Sequence, residues 1–342
     1  MSAGQPRSRL LLIAGSLLAS LVLAELFLRL AAPVAYRAPV ERRKDPWRNL
    51  AHRASSVPGL TYELVPGVEV ATDRGLVRTN RFGMRDREHE LAEPAGTVRI
   101  AVLGDSFTFG FGVAAEDAYP ATLERCLNRH APSGRSYEVL NFGVGGYSTR
   151  DEAVVLAEKA APFAPQWVLV GYVLNDPETE PIQPLHAYFT RPAWWQHFHL
   201  GRLVAQAANR RAVERYGGGN YTRYLHADPE KWGSVLAGFD RIRALAGERG
   251  YRVMVAIFPL IPAERWEAYP YAELHAQVAA AAREHGFEVV DLLPALSAAA
   301  PPEIWVSPED RHPNARGHAL AAGAICDKMQ SLESMNPEGA EP

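Results

Sequence analysis

Ser106 stands in "VLGDSFTFGFGV", residues 102–113, directly after an apolar run; His312 stands far downstream in "SPEDRHPNARGHALAA". A serine hydroxyl is inert at neutral pH unless a base takes its proton and donors stabilise the oxyanion that forms. The chain offers candidates for each part. His312 directly precedes Pro313, a residue suited to the first position of a helix, so its imidazole is placed in a loop rather than on a packed face. Asp310 and Glu309 are near enough in sequence to hold its second ring nitrogen. Gly146, in "NFGVGGYST", follows a second apolar run where a backbone N–H can be left free, and Asn175, in "GYVLND", follows a third and carries a side-chain amide. Together these residues suit acyl transfer through a serine.

The glycines around Ser106 can also be read as a phosphate cradle. A Walker A loop needs Lys followed by Ser or Thr at its end, and "GDSFTFGFGV" has neither. A dinucleotide fingerprint forced as Gly110-x-Gly112-x-x-Ala115 begins six residues beyond Gly104, past the tight turn where a pyrophosphate must meet a helix N-terminus. Asp105 and Ser106 could simply cap a helix, but capping does not account for His312. Asn175 and Asp176 before Pro177, and Gly143, Gly145 and Gly146, are turn signals in their own right. His197-x-His199 has no third ligand at a recognisable spacing and reads as packing, as does His318 on the last helix. No metal and no cofactor is expected.

The elements that must position these residues are legible as an alternation. "VRIAVLG" ends at Gly104, a helix covers about Glu116 to His130, "YEVLNFG" ends at Gly143, a helix runs from Thr149 to Ala161, and "QWVLVGYVLND" ends at Asp176. Then come a helix to Gly250, "YRVMVAIFPL", a helix to Gly286, "FEVVDLL" and a helix from about Pro313 to Met329. Continuous apolar strands separated by amphipathic helices predict a doubly wound, mainly parallel five-stranded sheet covered on both faces, an α/β fold. Ligands bind such sheets beyond the C-terminal strand ends, where Ser106, Gly146 and Asn175 fall. Residues 177–229 break the rhythm; they are rich in Trp, Tyr and His and read as a lid or binding loop, with Gly217 to Gly219 as a mobile point. Tyr62 to Arg85 reads as small hairpins, an appendage to the sheet.

These blocks resemble those of the SGNH hydrolases, also called the GDSL esterase and lipase family. "GDSFTFG" is similar to their first block, "NFGVGGYST" to the second, "GYVLND" to the third and "DRHPNARGH" to the last, in the family's order. The resemblance implies a flavodoxin-like three-layer α/β/α sandwich. It implies Ser106 as nucleophile, His312 as base, and the Ser106 N–H, Gly146 N–H and Asn175 amide as oxyanion hole. One departure stands out: the usual acid lies three residues before the histidine, here Glu309, whereas Asp310 lies two before, a spacing also found in relatives acting on polysaccharide acetyl groups. Asp310 is assigned the orienting role, because the shorter carboxylate holds one imidazole rotamer at less entropic cost. The implied activity is a serine esterase removing acyl groups, acetyl foremost, from a carbohydrate or envelope glycan. An O-acyltransferase with the same acyl-enzyme and a noncatalytic glycan-binding protein of the same fold are the alternatives.

The whole chain is compatible with this. Its 342 residues carry 36 basic and 39 acidic side chains, net −3, which leaves no electrostatic footprint for nucleic acid as a partner. Cys126 and Cys326 are too few for a disulfide framework and read as buried free thiols, with pairing open if the compartment is oxidising. Leu10 to Ala32 form an apolar run that would measure roughly 34 Å as a helix, enough to cross a hydrocarbon core of about 30 Å. Glu25 and Arg29 interrupt it on one helical face near its exit end, where they can pair. Pro33 after Ala31 and Ala32, and the lack of a lipobox cysteine, favour an uncleaved anchor over a cleaved signal. Arg37, Arg42, Arg43 and Lys44 compete with Arg7 and Arg9 over orientation, but a short tail before a large domain argues for export. The expected organisation is therefore an anchor over 1–32, a linker over 33–56, a β-rich appendage over 57–94, a catalytic domain over 95–330 with an insertion at 177–229, and a disordered tail over 331–342.

Overall fold

A computed structural model describes residues 5–34, 50–72, 75–178, 189–190, 193–267 and 269–335. Among them, β5 (Thr97–Gly104), β6 (Ser136–Asn141), β7 (Trp167–Val173), β8 (Arg252–Phe258) and β9 (Glu288–Asp291) form one all-parallel sheet in the order β6-β5-β7-β8-β9. The alternation of each strand sorts its side chains onto two faces. Ala101, Leu103, Val168, Val170, Val253 and Val255 face one core; Ile100, Val102, Leu169, Met254 and Ala256 face the other. The first core is closed by α4 (Thr149–Val155), α7 (Pro229–Arg249) and α8 (Ala272–Glu284), the second by α3 (Tyr119–His130) and α9 (Ala315–Met335). This is the three-layer α/β/α sandwich expected. The order reverses around β5, which has β6 on one side and β7 on the other, so the crevice of the switch point opens at the C-terminal end of β5.

Several expectations need correction. Cys126 on α3 and Cys326 on α9 are joined in a disulfide, not held as free thiols; the two helices pack side by side, which brings residues 200 apart in sequence to a Cα separation of 6.3 Å. The last helix starts at Ala315, not Pro313, because the Asn314 side chain accepts from Arg316 N and Gly317 N and so caps it. That helix runs on to Met335, into the segment expected as a disordered tail; residues 336–342 lie outside the described residues.

Small antiparallel strands precede the sheet, as expected, and their apolar side chains join its core. β1 (His52–Ala54) pairs antiparallel with β2 (Tyr62–Leu64), and β3 (Glu69–Thr72) with β4 (Gly75–Arg78). Ala51, Leu60, Tyr62, Leu64, Val70, Val77 and Met84 are buried in the same core as Leu103 and Phe142. Arg99 on β5, fully buried, donates to Glu138 and to the carbonyls of Glu90, Leu91, Ala92 and Phe163, stitching residues 90–92 to the N-terminal end of β5. Much of the expected linker, residues 35–49, lies outside the described residues.

The excursion at 177–229 is helical where described: α5 (His199–Gly217) and α6 (Tyr221–Ala227) follow a single 3-10 turn at Trp194–His197. Gly218, at φ +55, ends α5 in the left-handed conformation, and Gly217 packs against the backbone of Tyr224, so the glycine run closes a tight helix–helix corner.

Candidate active site

Each site residue sits where a strand or helix ends. Ser106 opens α2 (Ser106–Phe109) directly after β5, and the short helix lies across the strand ends. Gly143 permits this: a Cβ there would come within 2.4 Å of Phe109 N, so the turn after β6 accepts only glycine. Asp105 is the cap, its Oδ1 accepting from Phe107 N at 2.9 Å. At the other end of α2, the buried Arg85 donates to the carbonyls of Phe109, Gly110 and Val113. Burial pulls the Arg85 guanidinium down to about 10.

Ser106 Oγ lies 2.8 Å from His312 Nε2, and His312 Nδ1 lies 2.5 Å from Asp310 Oδ1. The rings of Phe107 and Phe111 pack on the imidazole at 5.3 and 5.0 Å. The loop carrying it is closed by Val306 N to His312 O and by the reciprocal pair between Ser307 and Asp310. Glu309, three residues before His312, instead accepts from Ser307 Oγ at 3.1 Å. Asn175 Nδ2 donates to Asp105 Oδ2 at 3.2 Å, which orients the amide. Gly146 follows a peptide whose carbonyl is pinned: Tyr62 Oη donates to Gly145 O at 2.7 Å, and Tyr147 Oη donates to Tyr62 O. In a trans peptide the C=O and the following N–H point opposite ways, so this bond aims the Gly146 N–H away from Tyr62.

Ser106, Gly146, Asn175, Asp310 and His312 all line one cleft of about 490 Å³. Apolar walls come from Phe107, Phe109, Phe111, Val173, Leu260 and Ile261, and His52 and Arg311 contribute polar groups. Sequence reasoning missed His52, Tyr62 and Arg85, since nothing local marks a residue that reaches the site from another part of the chain, and it passed over Arg311, which sits between Asp310 and His312. No described residue of 177–229 lines the cleft, so the lid expected there is not seen among the described residues. His197 and His199 meet α1 (Gln5–Ala31) instead: His197 O accepts from Arg29, and His199 Nδ1 accepts from Val34 N. His318 is buried against Tyr119, whose N–H its Nδ1 accepts, and burial pulls its pKa down to about 3.

Below Ser106 lies a set of buried carboxyls. Asp176 accepts from Thr149 Oγ1 and Val173 N, and Glu152 on α4 has both oxygens buried with no hydrogen-bond partner. Burial raises the Glu152 pKa well above its ordinary 4.5, and the charges of Asp176, Asp105 and Asp151 push it further. The folded state thus binds a proton more tightly than the unfolded one. Its stability is full below 4.5 and falls as pH rises from there toward the raised value. Glu152→Gln keeps the shape and removes that proton linkage, so its melting temperature is expected to match the parent's in acid and to exceed it increasingly as pH rises above 4.5. The gain is roughly 2 to 4 °C for each kcal/mol. A parent-to-variant difference that does not change with pH, measured by calorimetry, would refute this.

No match is found among curated proteins. Among solved structures the chain is similar to a two-domain esterase active on acetylated mannans, at 17% identity and TM-score 0.45, covering 70% of this chain and 50% of that one. It is similar to TesA at 15% identity and TM-score 0.45, covering 68% and 99%. It is also similar to a catalytic mutant of an acetylxylan esterase from Geobacillus stearothermophilus, at 15% identity and TM-score 0.43, covering 69% and 95%. The chain thus spans about half the length of the two-domain esterase. The profile of the GDSL-like lipase/acylhydrolase family matches residues 102–320 of the 342. The chain therefore belongs to the GDSL-like lipase/acylhydrolase family, a family of carboxylic ester hydrolases.

Proposed function

We propose that this protein is a membrane-anchored, exported serine esterase that removes short acyl groups, acetyl foremost, from a carbohydrate or envelope glycan. The observation that carries the catalytic part is the unbroken line from Ser106 Oγ through both nitrogens of His312 to Asp310. Ser106 Oγ attacks the ester carbonyl as His312 Nε2 takes its proton, and Asp310 holds the Nδ1–H and stabilises the imidazolium. The oxyanion is met by the Ser106 N–H, the Gly146 N–H and the Asn175 amide. The imidazolium returns its proton to the leaving alcohol, an acyl-serine remains, and a water activated by His312 releases the acid and frees Ser106.

The substrate class rests on the sequence resemblance, in particular the two-residue spacing of Asp310 and His312. Anchoring is supported by α1, whose stretch Arg9–Ala31 is long and apolar enough to cross a membrane and is not buried inside the structure. Export is supported by the disulfide, a bond that persists in oxidising compartments.

Two measurements test this together. A fluorophosphonate should label the protein, and peptide mapping should put the adduct on Ser106. An acetylated oligosaccharide should then yield free acetate, followed by mass spectrometry. Labelling elsewhere would remove the nucleophile, and acetyl appearing on an added sugar faster than acetate accumulates would make the protein a transferase.

A further inference from the structure

We propose that residues 194–216 form a second membrane contact, an interfacial element that seats the esterase domain on a bilayer with anionic headgroups. It rests on the reading of α1 as a membrane anchor. The starting point is the pair of charges that interrupts α1. Glu25 accepts from His199 N and Leu200 N at 3.0 and 2.9 Å, the N–H groups that the first turn of α5 leaves without helical partners. Arg29 bonds Glu25 at 2.7 Å and donates to His197 O at 3.0 Å. Val34 N donates to His199 Nδ1, and Arg202 donates to Val34 O. The start of α5 is thus fastened to α1 at the level of Glu25 and Arg29.

That level can be placed against a bilayer. From Leu10 to Ala24 a helix measures only about 22 Å, short of a hydrocarbon core of about 30 Å. The core boundary therefore falls beyond Glu25, close to the end of α1. Glu25 lies roughly 9 Å before Ala31 along the helix, so the start of α5 lies within about 9 Å of the acyl–headgroup boundary, on its acyl side, rather than in open water.

The side chains there suit that position. Trp194 is 77% exposed and Val204 67%, with Phe198 and Leu203 also exposed, a concentration of large apolar groups that a solvated surface rarely carries. Trp at this depth matches the aromatic preference of membrane interfaces, and Phe with Leu suits the apolar side of an interfacial helix. Farther along α5, Arg210, Arg211 and Arg215 are exposed, with Glu214 the one acid among them, in a chain whose net charge is −3. Arginines just outside an apolar contact fit lipid phosphates. The apolar end of the segment sits at the anchor and the basic end away from it, as expected for a helix leaving the acyl boundary into the headgroup layer. Two contacts, α1 and this segment, hold the domain in one pose where a single helix would let it swing.

The test uses the full chain reconstituted in vesicles of phosphatidylcholine with phosphatidylglycerol. Leu17→Cys on α1, Val204→Cys on α5 and Arg243→Cys on α7 are each labelled with an environment-sensitive nitrobenzoxadiazole; the native cysteines are paired, so the added thiol alone reacts. Retained esterase activity on a soluble ester verifies the fold of each variant. Nitroxide-bearing lipid should quench the probes at 17 and 204 about threefold or more above the probe at 243. Quenching at 204 should fall when phosphatidylglycerol is left out. Quenching at 17 with none at 204 would overturn the proposal and leave the anchor standing, whereas none at either would remove both. A blue shift at 204 that follows protein density without lipid quenching would assign the surface to a second copy, and quenching at 204 indifferent to phosphatidylglycerol would overturn the anionic preference.

Discussion

Ser106→Ala is expected to lower kcat/KM for short-chain aryl esters by roughly four to six orders of magnitude, the scale seen when a serine nucleophile is removed from a triad. The loss should be confined to chemistry. Ser106 is the first residue of α2, but its hydroxyl does not cap the helix; Asp105 does, through Phe107 N. The backbone N–H that serves the oxyanion in this mechanism is kept by alanine. The melting temperature should therefore stay within about 2 °C of the parent, since the lost hydroxyl lines an open cleft, leaves no core cavity and does not cap the helix. Fluorophosphonate labelling should vanish in parallel. Activity within tenfold of the parent, in a preparation shown free of other esterases, would remove Ser106 from the mechanism.

Asp310→Asn is the second large effect, expected at roughly three to four orders of magnitude in kcat, with KM nearly unchanged. The carboxylate of Asp310 accepts from His312 Nδ1 and also from His312 N, so it fixes both the ring and the loop that carries it. An amide in its place can present an N–H to Nδ1 and drive the proton to Nε2, where it blocks acceptance of the serine proton. Glu309→Gln should stay within about threefold of the parent, because Glu309 is exposed and engages Ser307 rather than the imidazole. Steady-state kinetics of the two variants side by side decide the matter. A larger loss from Glu309→Gln would give the acid role to the residue three before His312.

The contrast between these two acids shows where sequence reasoning reached its limit. Both carboxylates were within reach of His312 by spacing alone. Which one turns inward depends on the reciprocal Ser307–Asp310 backbone pair and on the bridge between Trp305 and Pro313, contacts that form only when the loop closes. The same holds for the support of the oxyanion loop. Tyr62 reaches Gly145 from β2, and Arg85 reaches the end of α2. Both lie in a stretch that reads as an independent set of hairpins, because alternation reports which face of a strand is apolar and not what that face will meet.

What the sequence by itself determined is the layered α/β fold and the positions of Ser106, Gly146 and Asn175 just after the first three strands of the sheet. These follow from local pattern: apolar runs of strand length, helix-period segments between them, and small or polar residues directly after each run. The tertiary structure alone decided that Cys126 and Cys326 are bonded, and that the start of α5, in the excursion after β7, is held against α1. Each of these depends on segments distant in sequence being brought together, and local periodicity carries no information about which partner a buried or charged group will find. Glu25 shows it most plainly: alone it is a charge that interrupts an apolar helix, and only with the first turn of α5 beside it does its carboxylate become a cap.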